Sequence, residues 1–422
     1  MTTMVEHIAC TFCGCVCDDI VVEVEGSRIA GVRGACVVGR GVLDEYDPEV
    51  RRPVVAGREV DWEQAVGAAA AILNEADSPL IYGLSSTAIE AQRKAVKLAD
   101  RLGAIIDTTS SVCHGPTGLA MQAVGEATCT LGEVRDRADL IVFWGCNPAA
   151  SHPRHFGRFS LTPAGALTPN GRADRTVVVV DVRPTGSSKQ ADHFLQVNAG
   201  ADFEVLTALR YLARGEDVEA AAIGGIPVSQ LRDLVRTMKA CRYGVVFMGM
   251  GLTMSRGRHL NVGELFSLVA ELNTYTRFSV IPMRGHGNVA GADQVLTWSS
   301  GYPFAVSFAR GYPQFGPGEF SAVDVLARGE ADAALIVASD PVAHLPRAAA
   351  EHLEHIPTIL LDPTPSLTAS IAQVVFPTAS YGLDAAGTAY RMDNVPIPLH
   401  RLFASGRPTD EEILDRIIEA VT

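Results

Sequence analysis

The feature that most restricts the fold is a recurring pair: a short, continuously apolar run and a stretch with helical periodicity. The runs are "PLIYGLS" (79–85), "AIIDTTS" (104–110), "ADLIVFWGCN" (138–147), "RTVVVVDVRP" (175–184), "YGVVFMGMG" (243–251), "ADAALIVASDP" (331–341) and "PTILLDPTPS" (357–366). A strand that is apolar at every position is covered on both faces, which is the habit of parallel sheets in α/β layers. The helical partners are equally plain. "DWEQAVGAAAAILNEA" (61–76) and "DFEVLTALRYLARG" (202–215) are amphipathic, and "STAIEAQRKAVKLADRLG" (86–103) has Ser or Thr to cap it and Gly103 to end it. At 422 residues the chain exceeds one simple core. The expected architecture is a small cysteine domain followed by two doubly wound α/β domains. The stretch "VVFPTASYGLDAAGTAYRMDNVPIPL" (374–399) loses the alternation and is rich in turns.

Charge narrows the function classes. With 35 basic and 48 acidic residues the net charge is −13, which argues against a nucleic-acid surface while leaving room for a local basic groove. No apolar run reaches the roughly 18 residues of a membrane span. The start, "MTTMVEHIACTF", has no basic n-region and no twin arginine, so an untargeted cytoplasmic protein is expected. In that setting nine cysteines read as thiolates rather than as a disulfide framework. "CTFCGCVCDD" (10–19) packs four of them into eight positions, ahead of a hairpin, "DDIVVEVEGSRIAGVRG", that turns at Glu25-Gly26. Taken alone, this cluster fits a zinc site and an iron–sulfur site equally.

Open parallel sheets bind ligands beyond the carboxyl ends of their strands. Those ends here are "SSVCHGPTG", "WGCNPAASHP", "DVRPTGSSKQAD", "MGMG", "PMRGHGNVAG", "ASDP" and "LDPTPS". Glycines admit close approach to phosphates, and helix N-termini favour anions. The candidate cofactor-binding residues are therefore Gly145, Asn147, Pro148, Arg183, Thr185, Asp192, Gly249, Gly251, Gly285, Asn288, Ser339, Asp340, Asp362 and Thr364, with Gly200 and Asp202 from "NAGAD". Asp181, ending "VVVVD", suits a ribose or base edge. Any one of these loops is also an ordinary α/β turn; seven together suggest a large, extended, phosphate-bearing ligand. Neither GxxxxGK[ST] nor GxGxxG occurs, which disfavours an ordinary ATP or NAD site. Cys113 falls at a helix entry, where the dipole stabilises a thiolate, and His114 beside it could carry a proton. The competing reading is a buried thiol next to a surface histidine. Arg284 and His286 lie on a glycine-rich loop, where a guanidinium suits a planar carboxylate or phosphate, or is simply structural.

In their order along the chain, "SSVCHGP", "WGCNPAASHP", "DVRPTGSSKQAD", "RGHGNVAGADQVLTWSSGYPFAV", "RGYPQF", "DPTPSLTASIAQVVFPTASYG" and "GTAYRMDNVPI" resemble the molybdopterin oxidoreductase family. Within it they are most similar to the B subunits of formylmethanofuran dehydrogenases and of the related bacterial formyltransferase/hydrolase complexes. The resemblance spans about 10–400 and implies a formate dehydrogenase-like α/β fold. Its parts would be an iron–sulfur domain (1–55), a first pterin-dinucleotide domain (56–137 and 285–380) and a second (138–284). A return segment (381–422) would pack near the cluster domain. It implies a 4Fe–4S cluster on Cys10, Cys13, Cys17 and Cys36, with Cys15 left over to face away or pack. It implies two molybdopterin guanine dinucleotides holding tungsten or molybdenum, with Cys113 as the protein ligand. His114 would exchange the proton and Arg284 would hold formate or CO2. The sequence departs from many relatives, which carry Lys after the fourth cysteine; Val37-Val38-Gly39 stands here, with Arg51 or Arg52 as a substitute.

The family's C-terminal pterin-binding barrel domain has no counterpart after "GTAYRMDNVPIPLH", which predicts a separate pterin-completing D-type subunit alongside an amidohydrolase-like A subunit and a C subunit. Two functions follow. One is a CO2-reducing, formate-producing subunit serving a furan carrier in one-carbon metabolism. The other is a non-redox scaffold that holds the carrier in a formyltransferase/hydrolase complex. Retention of the four cluster cysteines with Cys113, His114 and Arg284 favours the enzyme, since a scaffold has no need of them.

Overall fold

The computed structural model describes residues 2–422 and separates into two compact units, Met1–Val112 with His286–Thr422, and Cys113–Gly285. In the second unit the apolar runs form a five-stranded parallel sheet, ordered His193–Gln196, Thr176–Asp181, Leu140–Trp144, Tyr243–Met248, Arg277–Pro282. The chain starts in the middle, runs outward on one side, then crosses to the other, so a topological switch point lies between Leu140–Trp144 and Tyr243–Met248. At that point the loops leaving the two strands pack backbone on backbone. Gly145 takes φ +58, its carbonyl accepts from Gly251 N at 2.9 Å, and a Cβ on it would stand 2.8 Å from Leu252 N. Only glycine satisfies both the conformation and the approach.

Residues 113–137 fall in this second unit rather than with the first, where the sequence places them. The helix Gly115–Val124 lies along His259–Leu272, Ala120 enters the second core, and Ala127 O accepts from Val280 N at 2.9 Å. Burial of that helix face decides its membership.

The first unit is built on a nine-stranded sheet. Its five central strands, Ile105–Thr108, Pro79–Gly83, Ala333–Val337, Thr358–Leu361 and Val374–Phe376, are parallel, as their doubly apolar sequences require. Short antiparallel strands, Val306–Ser307 with Gln314–Phe315 and Val54–Val55 with Arg58–Glu59, close the two edges and make the sheet mixed. Ile81, Leu335 and Ile359 meet the helices Trp62–Glu75, Ile89–Leu102 and Asp410–Ala420 on one face. Leu80, Tyr82, Ile336 and Leu360 meet Ala322–Ala327 and Arg347–Leu353 on the other. The helix Ile89–Leu102 ends at Gly103 (φ +65) as expected, but its N-cap is Ala88 with no side-chain bond. Thr87, the expected cap, gives its hydroxyl to Asp410 Oδ2 instead, at 2.6 Å.

The N-terminal residues make a three-stranded antiparallel sheet, Thr2–Ile8, Ile20–Glu25 and Arg28–Arg33, with Gly26 (φ +63) at the expected hairpin turn. The turn-rich segment near the C-terminus contains one hairpin, Gly387–Tyr390 with Pro396–Leu399. Asn288 fastens that hairpin to the strand ends. It is fully buried, its Nδ2 donates to Thr87 O at 2.7 Å, its Oδ1 accepts from Tyr390 N at 2.7 Å, and its own N donates to Ser85 O at 3.0 Å. Both polar atoms of the side chain are engaged, so Asn288 is structural and not the cofactor ligand its loop position suggests.

Replacing Asn288 with Ala orphans the Thr87 carbonyl and the Tyr390 amide. Each such group costs about 1–3 kcal/mol, so a lowered unfolding midpoint in denaturant is expected, with Asn288→Asp also destabilised because a carboxylate cannot donate to Thr87 O.

Candidate functional site

The cysteine loop of the first unit is wound tightly by Cys10 N donating to Cys17 O (2.8 Å) and Val16 N to Cys13 O (3.0 Å). Tyr381 Oη donates to Thr11 O and Met392 N to Gly14 O, each at 2.8 Å, which ties the loop to the C-terminal segment over a small core of Val16, Ala389, Ile397 and Leu399. Cys36 caps the helix Val37–Asp44, its sulfur accepting from Gly39 N at 3.4 Å. Burial pushes the Cys10 thiol up to about 12, and Cys13, Cys17 and Cys36 are close enough to raise it further. A Cβ on Gly39 would stand 2.8 Å from Cys10 Sγ and 3.8 Å from Cys36 Sγ, so the glycine keeps open a space bordered by two of the sulfurs. Thiols gathered this way repel one another once ionised, and a bound cationic cluster relieves the repulsion. Cys15 packs rather than turning away: it is buried, and its thiol hydrogen-bonds with those of Cys13 and Cys17. Among the described residues no three His, Cys, Asp or Glu side chains form a ready shell for a single ion.

A cavity of 540 Å³ adjoins this loop, within the same unit, lined among others by Thr11, Tyr46, Asp362, Thr364, Tyr381 and Arg407. That volume is ordinary for a cofactor site. Burial pushes the Asp362 carboxyl up to about 6, against hydrogen bonds from Thr364 N (2.9 Å) and Thr364 Oγ1 (2.7 Å). Arg407 is held by a buried pair with Asp384 at 2.8 Å. Arg51, also on the lining, bonds Asp47 at 2.7 Å, and Arg52 is exposed. Two neighbouring candidates have other work. Asp340 accepts from Thr368 N (2.9 Å), Thr368 Oγ1 (2.7 Å) and Leu367 N (3.1 Å). Burial opposes ionisation of Asp340, but these bonds outweigh it and hold the carboxyl below the usual value. Ser339 sits against Gly83, where a Cβ would come within 2.9 Å of it. Burial lowers the pKa of His286, the histidine of the glycine-rich loop.

In the second unit the chemistry gathers where three loops meet. Cys113 precedes the helix Gly115–Val124, and its carbonyl accepts from Thr253 Oγ1 at 2.8 Å. His114 is buried, so the surface-histidine reading fails. Its Nε2 lies 3.2 Å from Met283 O and its Nδ1 3.1 Å from Thr117 Oγ1. A carbonyl only accepts, so Nε2 carries the proton and Nδ1 takes the threonine hydroxyl. Burial pushes His114 down to about 3, with the charge of Arg284 adding to the shift. His152, from the loop after Leu140–Trp144, sets its Nε2 2.8 Å from Arg284 O and its Nδ1 2.8 Å from Ser151 Oγ. Two imidazoles therefore hold successive carbonyls of the Met283–Arg284 segment, and Arg284 itself is only 8% exposed. Glu126 joins this group. Burial raises its carboxyl to about 7, against the lowering charge of Arg284. No motif marks Glu126; only the fold brings it there.

The remaining candidates of this unit divide. Asn147 Oδ1 accepts from Ser187 Oγ (2.7 Å) and Ser187 N (3.1 Å), joining the loops after two adjacent strands, and Pro148 opens the short helix Pro148–Ser151. Asp181, raised by burial, and exposed Arg183 stand at a strand end, beside Thr185, which closes on Ser188 Oγ at 2.8 Å. Gly200 (φ +78) lies against Arg256, and no atom comes within 4 Å of a Cβ on Gly285. Gly145, Gly249 and Gly251 give their N–H groups to Val180, Trp144 and Gly145 carbonyls, so they serve loop packing rather than phosphate binding. Asp202 accepts from Trp144 Nε1 at 2.9 Å and is structural too. Asp192 is at the wrong end of the sheet. It precedes the strand His193–Gln196, accepts from Val177 N (2.8 Å) and pairs with Arg172 (2.8 Å), because a parallel strand begins at the amino edge.

Residues 46–385 match the family described as molybdopterin oxidoreductase. The chain is 44% identical, over its whole length and 99% of the relative's, to the B chain of the tungsten-containing formylmethanofuran dehydrogenase 2 of Methanocaldococcus jannaschii. It is 29% identical to the Fhc B chain of the formyltransferase/hydrolase complex of Methylorubrum extorquens, covering 68% of this chain and 74% of that one. The crystal structure of that organism's FhcABCD complex with methylofuran contains a chain matched at TM-score 0.70 and 28% identity, over 87% of this chain and 98% of that one.

The two bonds of the His114 ring make a measurable prediction. Nitrogen-15 spectra of histidine-labelled protein should show His114 as a neutral Nε2–H ring that does not titrate from pH 8 down to about 5, because burial pushes it down to about 3; buried His155, pushed down as far, should stay neutral too. A full set of rings titrating near the ordinary 6.5 contradicts the geometry.

Proposed function

Because the chain belongs to the molybdopterin oxidoreductase family, among the B subunits of formylmethanofuran dehydrogenases, we propose that it interconverts CO2 and formate for transfer of a one-carbon unit to a furan carrier. The observation that carries this reading is the gathering of His114, His152 and Arg284 around one buried loop segment, reached from the head of the helix that follows Cys113. A tungsten or molybdenum ion held by two molybdopterin guanine dinucleotides would supply two-electron chemistry when bound, with Cys113 as its protein ligand. A soft thiolate suits a metal of that kind.

The chain's own residues do the rest. Arg284 orients formate or CO2: a guanidinium presents two parallel donors to a carboxylate, and burial strengthens them by excluding water. His114 is a positioning residue. With both nitrogens engaged it fixes the Met283 carbonyl, and through the loop it fixes Arg284. Cys10, Cys13, Cys17 and Cys36 are the four thiolates that would hold a 4Fe–4S cluster, a group that supplies one-electron chemistry when bound. The cavity beside the cysteine loop, with Asp362 and Thr364, fits part of one dinucleotide. Like its relatives named as parts of complexes, the chain would work in a hetero-oligomer.

The likeness to the Fhc B chain favours a second reading, a non-redox component that holds the furan carrier. Metal content separates the two. Anaerobically purified complex should contain about four iron atoms per copy of this chain, together with tungsten or molybdenum, and should oxidise formate with an artificial acceptor. Stoichiometric zinc without iron, or a complex inert towards formate, supports the scaffold. Cys36→Ser should lose the iron, whereas Cys15→Ser should keep it. Arg284→Ala should lower formate oxidation about 10²–10³-fold, the usual effect of removing a preorganised charged donor. Arg284→Lys should cost less, and both should keep their metal.

A further inference from the structure

Neither buried imidazole is free to carry the proton of the reaction. Oxidation of formate breaks one C–H bond, yields CO2 and releases one proton and two electrons, for which a bound tungsten or molybdenum centre would be the acceptor; reduction reverses each change. His114 has its Nε2–H on Met283 O and its Nδ1 on the Thr117 hydroxyl, so a proton cannot move through it without breaking one of those bonds. His152 is engaged in the same way, by Arg284 O and Ser151 Oγ.

We infer that Glu126 is the residue that takes up and releases this proton, carrying it between the surroundings of Arg284 and the exposed chain segment 121–128. The inference rests on the formate–CO2 reading above and deepens it. Residues 121–125, 127 and 128 are all exposed, whereas Glu126 alone among them turns inward. Its Oε1 is buried and has no hydrogen-bond partner, which is costly for a carboxylate and unusual in a settled structural role. Gly125, with φ +86, ends the helix Gly115–Val124 and swings the chain so that the next residue can do this. Ala127 O is then pinned by Val280 N at 2.9 Å, on the strand that leads to Met283 and Arg284. A carboxyl placed so is fixed by its neighbouring backbone while its buried oxygen keeps no hydrogen-bond partner.

The groups around it fit the task. Arg284 supplies the charge that acts on Glu126 and favours the carboxylate, while burial favours the acid. The two effects leave the group able to hold or lose a proton near neutral pH, where the reaction needs it to do both. His114 and His152 are kept neutral by burial and do not compete for the proton. Glu133, on the helix Leu131–Arg137 that follows, is locked onto Thr130 N at 2.9 Å and takes no part. Glu126 is thus a relay residue, acting beside Arg284 rather than on the reacting carbon.

Two measurements test this, and the first needs no formate chemistry. In the infrared difference between the full wild-type chain and Glu126→Gln, a protonated carboxyl band should fade as pH rises through about 7. Arg284→Ala should move that midpoint upward, because it removes the charge that favours the carboxylate. In the metal-loaded complex, Glu126→Gln should keep its tungsten or molybdenum but oxidise formate about 10²-fold more slowly, the usual scale for losing a proton-transfer group. The pH dependence near neutrality should flatten, and Glu126→Asp should restore part of both rate and profile. A band that does not titrate between pH 5 and pH 9, or a Glu126→Gln complex with the wild-type rate and pH profile, overturns the inference.

Discussion

The second unit depends on two neutral imidazoles that hold consecutive backbone carbonyls. His114 engages Met283 O and His152 engages Arg284 O, so the loop carrying the guanidinium is clamped from two different elements. Each clamp needs an Nε2–H, and the neutral Nε2–H tautomer supplies it while the far nitrogen accepts a hydroxyl. Burial enforces the neutral form: desolvation depresses both pKa values, and the nearby arginine charge depresses His114 further. The cost of taking two imidazoles out of water is offset by four hydrogen bonds, and the result is a fixed backbone at Met283 and Arg284.

The first unit poses the opposite electrostatic problem. Its cysteine loop concentrates ionisable thiols in a buried place, where both desolvation and mutual repulsion disfavour the thiolate. A fold tolerates that arrangement when a cation-bearing group takes the thiolates, which is the setting for iron–sulfur ligation. The backbone leaves space at this loop. Glycine at 39 leaves room beside two sulfurs, and glycine at 287 lets the loop before the helix Val289–Ser300 come against Thr11 O, where a Cβ would stand at 1.8 Å. Tyr381, bonded to Thr11 O and facing the 540 Å³ cavity, connects the cysteine loop to that cavity by a single side chain. Burial raises its phenol, so it stays a hydrogen-bond donor throughout the working pH range.

Strand-end loops divide into those whose polar groups are consumed inside the fold and those that stand on the surface or on a cavity wall. Asn288, Asp202, Asp340 and the glycines 145, 249 and 251 have their polar groups consumed inside the protein. Asp181, Arg183, Asp362 and Thr364 remain at strand ends, on the surface or on a cavity wall. Position alone could not separate the two sets, because a turn that supports a binding loop has the same composition as the binding loop.

What the sequence by itself determined is what local rules govern. Runs such as "VVVVD" and "LIVFW" must be strands buried on both faces, Gly103 must end a helix, and Glu25-Gly26 must turn a hairpin, because each follows from a few neighbouring residues. The order of the motifs carried the family for the same reason. The tertiary structure decided everything that depends on a partner distant in the chain. It placed Asp192 at the amino edge of the sheet, sent Thr87 to Asp410 instead of capping its helix, and moved 113–137 into the second unit. It turned His114 inward and brought Glu126 to Arg284, more than 150 positions away. Hydrogen bonds and burial act through space, and the sequence holds no local signal for which atoms will meet.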